Sequence, residues 1–316
     1  NNFVTINQND FDALSVGQGD TAIIKTPGDN IIVIDAYRPA KVKHLLGKIS
    51  SQGEISHLVI THPHKDHYSA VAGLLDAYPI WRVTLAPFWY EPGTPGYHTC
   101  INSILDNHVP IRFLSGYERY YPDGGQYPPD PNDLCIELLG PPNDILNALH
   151  HSKLLNPNHL SVIARLTHGK FSMVLAADAQ MENWAHYDRE GMLEKKCDVL
   201  KAAHHGSMNG TQWERLERLS PKLVIVSSDP ESDHHLPDLI GSATFLKYDK
   251  SKTTRKVALT VKTGTIKITV DRPLSSRRRY KTVCYGDEPR DRTIPQQERP
   301  LPRTDWLAIV KSKVQG

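Results

Sequence analysis

The residues best suited to chemistry lie in one short segment that reads T-H-P-H-K-D-H. It places three imidazoles and one carboxylate within six positions, at His62, His64, Asp66 and His67. Neutral imidazole and carboxylate are the ligand types that zinc and related divalent ions prefer. His62 and His64 are two residues apart, so their side chains point the same way in extended backbone. Asp66 and His67 follow a bend and can face a second ion. The spacing therefore predicts a metal site rather than a solvated histidine-rich turn.

The elements that must position these residues are predicted strands. An apolar run at 57–61 predicts a buried strand before the segment, and 68–75 has helical spacing after it. Other residues of ligand type also follow apolar runs: Asp35 follows 31–34, Asp178 follows 171–177, and His204-His205 follow 198–203. Loops at strand ends on a rigid scaffold are common positions for binding and catalysis.

The segment matches the H-x-H-x-D-H signature, and the chain resembles the metallo-β-lactamase superfamily. Within it, the chain is most similar to the soluble hydrolase domain of ComEC-type DNA-uptake competence proteins. The residues that carry this similarity are S-V-G-Q-G-D at 15–20, the stretch 158–161, Ala177-Asp178 and H-H-G-S at 204–207. The similarity covers roughly residues 11–246. It implies a mixed α/β fold, a four-layer αββα sandwich.

The resemblance also implies a ligand set for two divalent ions, zinc or manganese. His62 and His64 would bind the first ion, and Asp66 and His67 the second. Asp178 would bridge the two ions. Two ions that share a bridging group can activate water and clamp the attacking and leaving oxygens.

The remaining ligands are less uniform. His205, or otherwise His204, would complete the second set, and Asp35 would fix the tautomer of a ligand imidazole by accepting a hydrogen bond. Most members of the superfamily supply one more histidine to the first ion. The corresponding stretch here offers Asn158 and His159 as candidates. A loosely held, oxygen-rich first site would favour manganese.

The implied reaction is hydrolysis of a phosphodiester in DNA or a nucleotide, with Asp66 among the catalytic residues. One histidine of S-D-H-H-L-P, His234 or His235, is expected to protonate the leaving oxygen or stabilise its charge. A surface loop is the alternative interpretation of that pair. Ser207 is expected to donate a hydrogen bond to a substrate phosphate, or else to cap the following helix.

Two further functions are compatible with the sequence. The first is hydrolysis of small carboxylic esters, lactones or β-lactams by the same metals, with an apolar pocket supplied by aromatic residues. The second is a non-catalytic role as a binding partner in a larger assembly. The fold alone does not choose among these functions.

The C-terminal segment is basic. Residues 247–316 hold 18 Lys and Arg against 7 Asp and Glu, whereas the rest of the chain holds 19 and 28. The run Arg277-Arg278-Arg279, with Lys281, could follow a nucleic-acid backbone or contact an acidic protein partner. The alternatives are a solvated charge run and an arm that packs on the acidic body of its own chain.

Domain organisation follows from composition. Residues 1–271 are expected to form the hydrolase domain, and the Pro/Arg-rich residues 272–316 an arm that packs on it. Residues 87–131 are rich in proline, glycine and tyrosine and predict an irregular insertion, broken by a helix at 97–107, of a length often found in lids. The resemblance implies that this loop lies near the metal mouth and contacts substrate, and a structural excursion capped by its own aromatic residues is the alternative. The apolar runs at 256–261 and 265–270 predict a hairpin about Gly264.

Overall composition is that of an ordinary globular protein of 316 residues, with 39% hydrophobic and 23% charged residues. No apolar stretch approaches the ~20 residues that span a bilayer, and the first residues do not resemble a signal peptide. A cytoplasmic protein without membrane contact is therefore expected. The widely spaced Cys100, Cys135, Cys197 and Cys284 predict neither a disulfide framework nor a cysteine zinc site.

Overall fold

A computed structural model of the chain describes residues 12–13, 19–50, 53–87, 95–124, 130, 132–151, 156–191, 193, 195–228, 234–271, 274–275, 280–285 and 297–315. Its strands are β1 (Asp12–Ala13), β2 (Ala22–Lys25), β3 (Ile31–Ile34), β4 (His57–Ile60), β5 (Val83–Leu85), β6 (Ile111–Phe113), β7 (Tyr117–Tyr120), β8 (Leu134–Leu139), β9 (Ile163–His168), β10 (Phe171–Leu175), β11 (Val199–Lys201), β12 (Leu223–Val226), β13 (Lys256–Leu259), β14 (Ile266–Val270), β15 (Tyr280–Cys284) and β16 (Arg299–Pro300).

The α-helices of the described residues are α1 (Pro39–Ile49), α2 (Lys65–Tyr68), α3 (Val71–Leu75), α4 (Pro95–Asp106), α5 (Asn143–His151), α6 (Met181–Arg189), α7 (Trp213–Leu219), α8 (Leu239–Ser251), α9 (Thr260–Thr263) and α10 (Trp306–Gln315). Two short 3₁₀ turns, Pro157–Leu160 and Ala203–Gly206, lie beside strand ends. None of these helices combines the length and apolarity that a membrane-spanning helix needs.

The strands form two sheets. The first has the order β16-β15-β14-β1-β2-β3-β4-β5-β6, and the second has the order β13-β12-β11-β10-β9-β8-β7. Strands β3 to β6 run parallel in the first sheet, as do β10 to β13 in the second. The carboxyl ends of several strands therefore share one edge of each sheet, and loops that leave this edge can converge.

The layer order is visible in the alternation of side chains along β12. Leu223 and Ile225 belong to the apolar core between the sheets, whereas Val224 and Val226 face the helices α6, α7, α8 and α10. On the other side, Val42 and Leu46 of α1 pack against the first sheet. This period of two is expected of a strand buried on both faces. The architecture is the four-layer αββα sandwich of the metallo-β-lactamase fold, as the sequence predicted.

His57 on β4 joins the two sheets by polar contacts. Its Nδ1 lies 2.7 Å from the Tyr120 hydroxyl on β7, and its Nε2 lies 2.8 Å from Thr84 Oγ1 on β5. Burial, with Arg82 and Arg112 nearby, lowers the pKa of His57 well below its ordinary value. The imidazole is therefore neutral in the folded protein and serves as an internal hydrogen-bonding link.

This link predicts a pH dependence of stability. Below the ordinary histidine pKa of about 6.5, His57 binds a proton in the unfolded chain but not in the folded protein. The free energy of unfolding therefore falls as the pH falls. Between pH 6.5 and pH 5 the contribution is at most about 2 kcal/mol. In urea titrations of metal-free protein, the free energy of unfolding of His57→Gln should depend less steeply on pH than that of the wild type. The difference in slope should correspond to at most one proton. The exposed His108, changed to Asn because its φ is 55°, is the matched control. Equal slopes for His57→Gln and the wild type would contradict the assignment.

Residues 87–131 build part of the fold where they are described. Helix α4 packs against α2 and α3, with the Tyr97 ring 5.2 Å from that of Tyr68. Strand β6 extends the first sheet and β7 begins the second. Asp123 accepts a hydrogen bond from Asn30 in the turn between β2 and β3. The expectation of an irregular lid is therefore wrong for this part, and residues 88–94, 125–129 and 131 lie outside the described residues.

The predicted hairpin about Gly264 is also wrong. Strand β13 pairs in parallel with β12 in the second sheet, whereas β14 pairs with β1 and β15 in the first. Helix α9 carries the chain between the sheets, and Thr260, Thr263 and Thr265 are buried along this crossing. Two apolar runs with a glycine between them are typical of a hairpin. Here the segment that connects the two runs is buried between the layers, and each run joins a different sheet.

The last part of the chain packs within this fold. Strand β15 pairs antiparallel with β14, and β16 pairs with β15. Helix α10 lies on α8, where Trp306 is 1% exposed and its ring lies 5.1 Å from that of Phe245. The described residues beyond 272 thus add two strands to a sheet and a helix to the outer layer.

Candidate metal centre

The metal loop, residues 61–67, follows β4 at the edge of the sheet where the neighbouring strand β3 also ends. His62 and His64 precede α2, which carries Asp66 and His67. Asp35, directly after β3, accepts hydrogen bonds from the backbone N–H and the hydroxyl of Thr61, both at 2.8 Å. The carboxylate of Asp35 therefore ties the start of the loop to the adjacent parallel strand.

The first ligand group joins the two sheets. His62 Nε2 lies 3.1 Å from His64 Nδ1 and 3.8 Å from Asp178 Oδ2, which comes from the loop after β10. The ligand atoms of the three residues all lie within 4.8 Å of one another. This grouping matches the set expected for the first ion, with Asp178 in common with the second.

The second ligand group consists of Asp66, His67 and His205, whose ligand atoms also lie within 4.8 Å of one another. His205 Nε2 lies 3.2 Å from Asp66 Oδ2, and His67 Nε2 lies 3.9 Å from the same oxygen. Asp178 stands beside this group, with Oδ1 3.5 Å from His67 Nε2 and Oδ2 3.4 Å from His205 Nε2. Its position between the groups is the one that a bridging carboxylate needs.

The orientation of two imidazoles suits metal binding. His67 Nδ1 donates to Asp35 Oδ2 at 2.7 Å, and His205 Nδ1 donates to the Ser227 carbonyl at 2.7 Å. The Nε2 atoms of both rings are buried without a hydrogen-bond partner, as is Asp178 Oδ1. Buried polar atoms without partners are costly, about 1–3 kcal/mol each. A divalent ion would satisfy them, so the residues present fit the metal site implied by the resemblance.

The charges of the cluster act on the two groups differently. Burial alone would lower the pKa of His205, but Asp178 and Asp66 outweigh it and raise the pKa to about 10. Burial alone would also lower the pKa of His67, but Asp35 and Asp178 outweigh it and raise this pKa well above the ordinary value. Burial lowers the pKa of His62 and of His64. The first group therefore already offers neutral imidazoles, whereas an ion bound to the second group must displace protons.

Several site residues have left-handed backbone although none is glycine. The φ angles are 57° at Asp35, 46° at Ala177, 48° at His204 and 51° at His205. Such a conformation costs roughly 1–2 kcal/mol per residue. His204 and His205 were expected directly after an apolar strand at 198–203. They lie in the turn after β11, where two left-handed residues bend the chain towards the cluster.

This turn separates the roles of the two histidines. His205 points into the cluster, but His204 contacts side-chain amides at both ring nitrogens. Gln180 Nε2 lies 3.3 Å from His204 Nδ1, and Asn158 Nδ2 lies 3.1 Å from His204 Nε2. His205, and not His204, belongs to the ligand groups found among the described residues, so the geometry favours His205 as the ligand that completes the second set.

The candidates for the missing first-site ligand are also placed. His159 Nε2 lies 3.3 Å from Glu182 Oε2 on α6, and His159 is absent from the ligand groups found among the described residues. It is therefore not positioned as a ligand. Asn158 is buried and its amide nitrogen contacts His204, while its Oδ1 has no hydrogen-bond partner. Asn158 is thus part of the wall of the site.

Asp35 gives a prediction about metal affinity. In Asp35→Asn the amide oxygen can still accept from the Thr61 backbone, and asparagine tolerates a φ of 57°. The amide nitrogen cannot accept from His67 Nδ1, so the imidazole loses its fixed tautomer. We expect the affinity for the second ion to fall about 10- to 100-fold, as for other outer partners of metal ligands. Calorimetric titration with Mn²⁺ measures this, and an unchanged affinity would remove Asp35 from the role.

Two charged residues of the site were not singled out from the sequence. Asp20 lies before β2, at the end of the S-V-G-Q-G-D stretch that carried the family similarity, and Lys201 ends the apolar strand β11. Their side chains form a buried ion pair. Burial alone would lower the pKa of Lys201, but Asp20 and Asp178 raise it above the ordinary value. A lysine inside a strand that is otherwise apolar and buried was the available signal, since such a charge requires a partner.

The remaining catalytic candidates lie farther out. Ser207 is buried, and its hydroxyl donates to Asp238 at 3.4 Å, while Gln212 rather than Ser207 precedes α7 as its N-cap. His234 and His235 are exposed. Their loop is tied to the site edge, because Ser228, next to Ser227, donates to the Leu236 carbonyl. Ser207 is therefore occupied within the protein, whereas the two histidines are free to face solvent.

Of the basic candidates, Lys281 is among the described residues, and it does not lie at this edge. Lys281 on β15 pairs with Asp271 at 2.8 Å. The neighbouring Tyr280 contacts Phe171 and the Asp198 carbonyl, which lie at the amino ends of β10 and β11. The metal ligands follow the carboxyl ends of the same strands, so Lys281 is on the opposite edge. Arg277, Arg278 and Arg279 lie outside the described residues.

Comparisons with known proteins agree with the motifs. No family model matches the chain. Recombination protein 2 of Haemophilus influenzae is 25% identical over 222 residues, covering 69% of this chain and 24% of that protein. ComE operon protein 3 of Bacillus subtilis is 22% identical over 253 residues, covering 73% of this chain and 30% of that protein. The resemblance to competence proteins is thus confirmed, although the chain spans less than a third of either relative.

A solved structure shows the same overall fold at low identity. CmlA, a diiron β-hydroxylase from Streptomyces venezuelae, aligns with a TM-score of 0.50 and 13% identity, covering 88% of this chain and 54% of that one. The alignment extends over nearly the whole chain and therefore bears on the arrangement of the layers. It carries no inference about the reaction.

Proposed function

We propose that this chain is a metal-dependent hydrolase that cleaves phosphodiester bonds in DNA or nucleotides. The observation that carries the hydrolase part is the convergence of loops from both sheets on two adjoining ligand groups, in which His67 Nε2, His205 Nε2 and Asp178 Oδ1 are buried without a hydrogen-bond partner. Structural ion pairs alone do not require imidazole nitrogens held towards one point with their outer nitrogens fixed. The substrate part rests on the similarity to competence proteins and remains a proposal.

The residues divide into two sets of ligands. One ion would be held by His62, His64 and Asp178, and the other by Asp66, His67 and His205, with Asp178 between them. Such ions lower the pKa of bound water and neutralise charge that develops on phosphoryl oxygens.

Access to the cluster is from one side. The side chains of His62, His67, Asp178 and His205 are at most 3% exposed, whereas that of Asp66 is 28% exposed. His64 is half-buried beside it. A substrate phosphate would therefore approach over Asp66 and His64, and the other ligands would stay shielded from bulk water.

A proton donor for the leaving oxygen is proposed in the loop that holds His234 and His235. Both are exposed, and Lys313 of α10 donates to the His235 carbonyl at 2.8 Å. The Ser228 contact holds the other end of the loop at the site edge. One imidazole of this pair can then reach a bound substrate without a change in the sheets.

The test is hydrolysis of bis-p-nitrophenyl phosphate and of single- and double-stranded DNA by metal-stripped protein refilled with Mn²⁺ or Zn²⁺. Metal-dependent cleavage is the expected result. Its absence with two ions bound would favour esters or lactones, and failure to bind metal would favour a binding role in a larger assembly. Steep loss of DNA cleavage with added salt indicates a polyanion substrate. Replacing Arg277, Arg278 and Arg279 by alanine asks whether those residues contribute to that salt dependence.

A further inference from the structure

The floor of the metal cluster holds a buried ammonium group. Lys201 is 2% exposed, and its Nζ donates to the Ala177 carbonyl at 2.9 Å. The same Nζ pairs with Asp20 Oδ2 and lies 3.8 Å from Asp178 Oδ1. A hydrogen bond to the Ala177 carbonyl and an ion pair with Asp20, from two separate loops, thus fix one positive charge close to the carboxylate that lies between the two ligand groups.

The neighbourhood of Lys201 contains a competing set of ligands. Asp20, Asp178 and His205 place ligand atoms within 4.8 Å of one another, as do Asp20, Asp35 and His67. Asp20 is thus close enough to share an ion with Asp178 and His205, or with Asp35 and His67, in place of Asp66. In this structure its Oδ2 is taken by Lys201, and its Oδ1 is buried without a hydrogen-bond partner, 3.9 Å from His205 Nδ1.

We propose that Lys201 acts as an internal cation that keeps the Asp20 carboxylate out of metal coordination and holds Asp178 between the two ligand groups. Lys201 and Asp20 are positioning residues, since neither is placed to touch substrate. This inference rests on the proposed metal-dependent function. The cluster contains four carboxylates, from Asp20, Asp35, Asp66 and Asp178, and two of them, Asp20 and Asp35, lie outside the two ligand groups. Asp35 contacts His67 Nδ1, and Lys201 offsets the charge of Asp20.

Lys201→Met removes the cation and leaves the Asp20 carboxylate free. A positive charge about 4 Å from a ligand carboxylate repels a divalent cation and lowers the metal affinity of the site. This repulsion is larger in a moderately polar protein interior than in water. We expect Mn²⁺ to bind at least about tenfold more tightly, measured by calorimetry and by the loss of the free-ion signal in electron paramagnetic resonance. Hydrolysis should fall at the same time, because Asp20 now competes for the ions. A lysine with only a packing role would not give tighter binding with lower turnover.

The double variant Lys201→Met/Asp20→Asn removes both charges and should return Mn²⁺ affinity to within about threefold of the wild type. It also decides the matter if Lys201→Met fails to fold, because it leaves no unpaired charge in the interior. A loss of affinity above about tenfold in the double variant would show that Asp20 is itself a ligand and overturn the proposal. So would unchanged or weaker binding by folded Lys201→Met.

Lys41 on α1 provides the matched control. It is 3% exposed and lies outside the ligand cluster. Lys41→Met removes a buried lysine elsewhere in the fold and should leave Mn²⁺ affinity unchanged. Metal binding is measured without substrate, so an inactive but metal-binding wild type would refute the phosphodiesterase proposal alone. A wild type that binds no Mn²⁺ would refute both.

Discussion

Replacing Asp178 by asparagine is expected to lower kcat/KM by more than ~100-fold, beyond the range for groups that only touch a metal ligand. Asp178 lies within 3.8 Å of His62, His67 and His205, so it contacts both ligand groups. An amide can coordinate through only one oxygen and carries no charge. We expect bound metal to fall from two ions per chain to one or fewer, measured by elemental analysis after gel filtration.

The control for this variant is Asp76→Asn, which makes the same chemical change at the exposed end of α3. It should keep wild-type activity and metal content. Circular dichroism of Asp178→Asn should match the wild type, because asparagine has the size and shape of aspartate and opens no cavity. Two tightly bound ions and wild-type turnover in Asp178→Asn would remove Asp178 from the bridging position.

Trp306→Ala is expected to lower the free energy of unfolding by about 3–5 kcal/mol, the usual range for deletion of a large buried aromatic side chain. The indole packs against Phe245 of α8, and its Nε1 donates to the Val257 carbonyl on β13 at 2.9 Å. The substitution therefore opens a cavity and also leaves a buried carbonyl without its donor. Urea denaturation of metal-free protein measures the change at constant pH.

The adjacent Leu307 supplies the comparison, since it lies on the same helix but is 42% exposed. Leu307→Ala should change the free energy of unfolding by no more than about 0.5 kcal/mol. If Trp306→Ala cost less than about 1 kcal/mol, α10 would be a dispensable appendage rather than part of the outer helical layer. The same variant should also loosen the loop at His235, because Lys313 of α10 holds its backbone.

The metal loop was predictable because its information is local. His62, His64, Asp66 and His67 lie within six residues, and the apolar strand before them is equally evident in the sequence. Asp178 and His205 were found through the family motif, and the structure brings both to the same cluster. Strand ends are positions that hydrophobic patterning identifies well, whereas the αββα layers were implied by the family resemblance.

The inner charges were not predictable in the same way. Asp20 and Lys201 are 181 positions apart in the sequence, and nothing in either local segment indicates that they meet. The left-handed turn at His204 and His205 was missed for a related reason, since these residues are rarely forced into that conformation without tertiary contacts. The false hairpin about Gly264 shows the same limit: which sheet a strand joins depends on the whole core.

The metal centre also bears on how the molecule comes apart. His62, His64, Asp66 and His67 extend from the first sheet, whereas Asp178 and His205 extend from the second. Ions bound by both sets would connect the two sheets at one edge, opposite the edge where Tyr280 contacts Phe171. With the ions bound, the two sheets could not separate from each other without releasing an ion. Metal loading would therefore couple the unfolding of the two sheets into one cooperative event, and the added stability would rise with the logarithm of the free ion concentration.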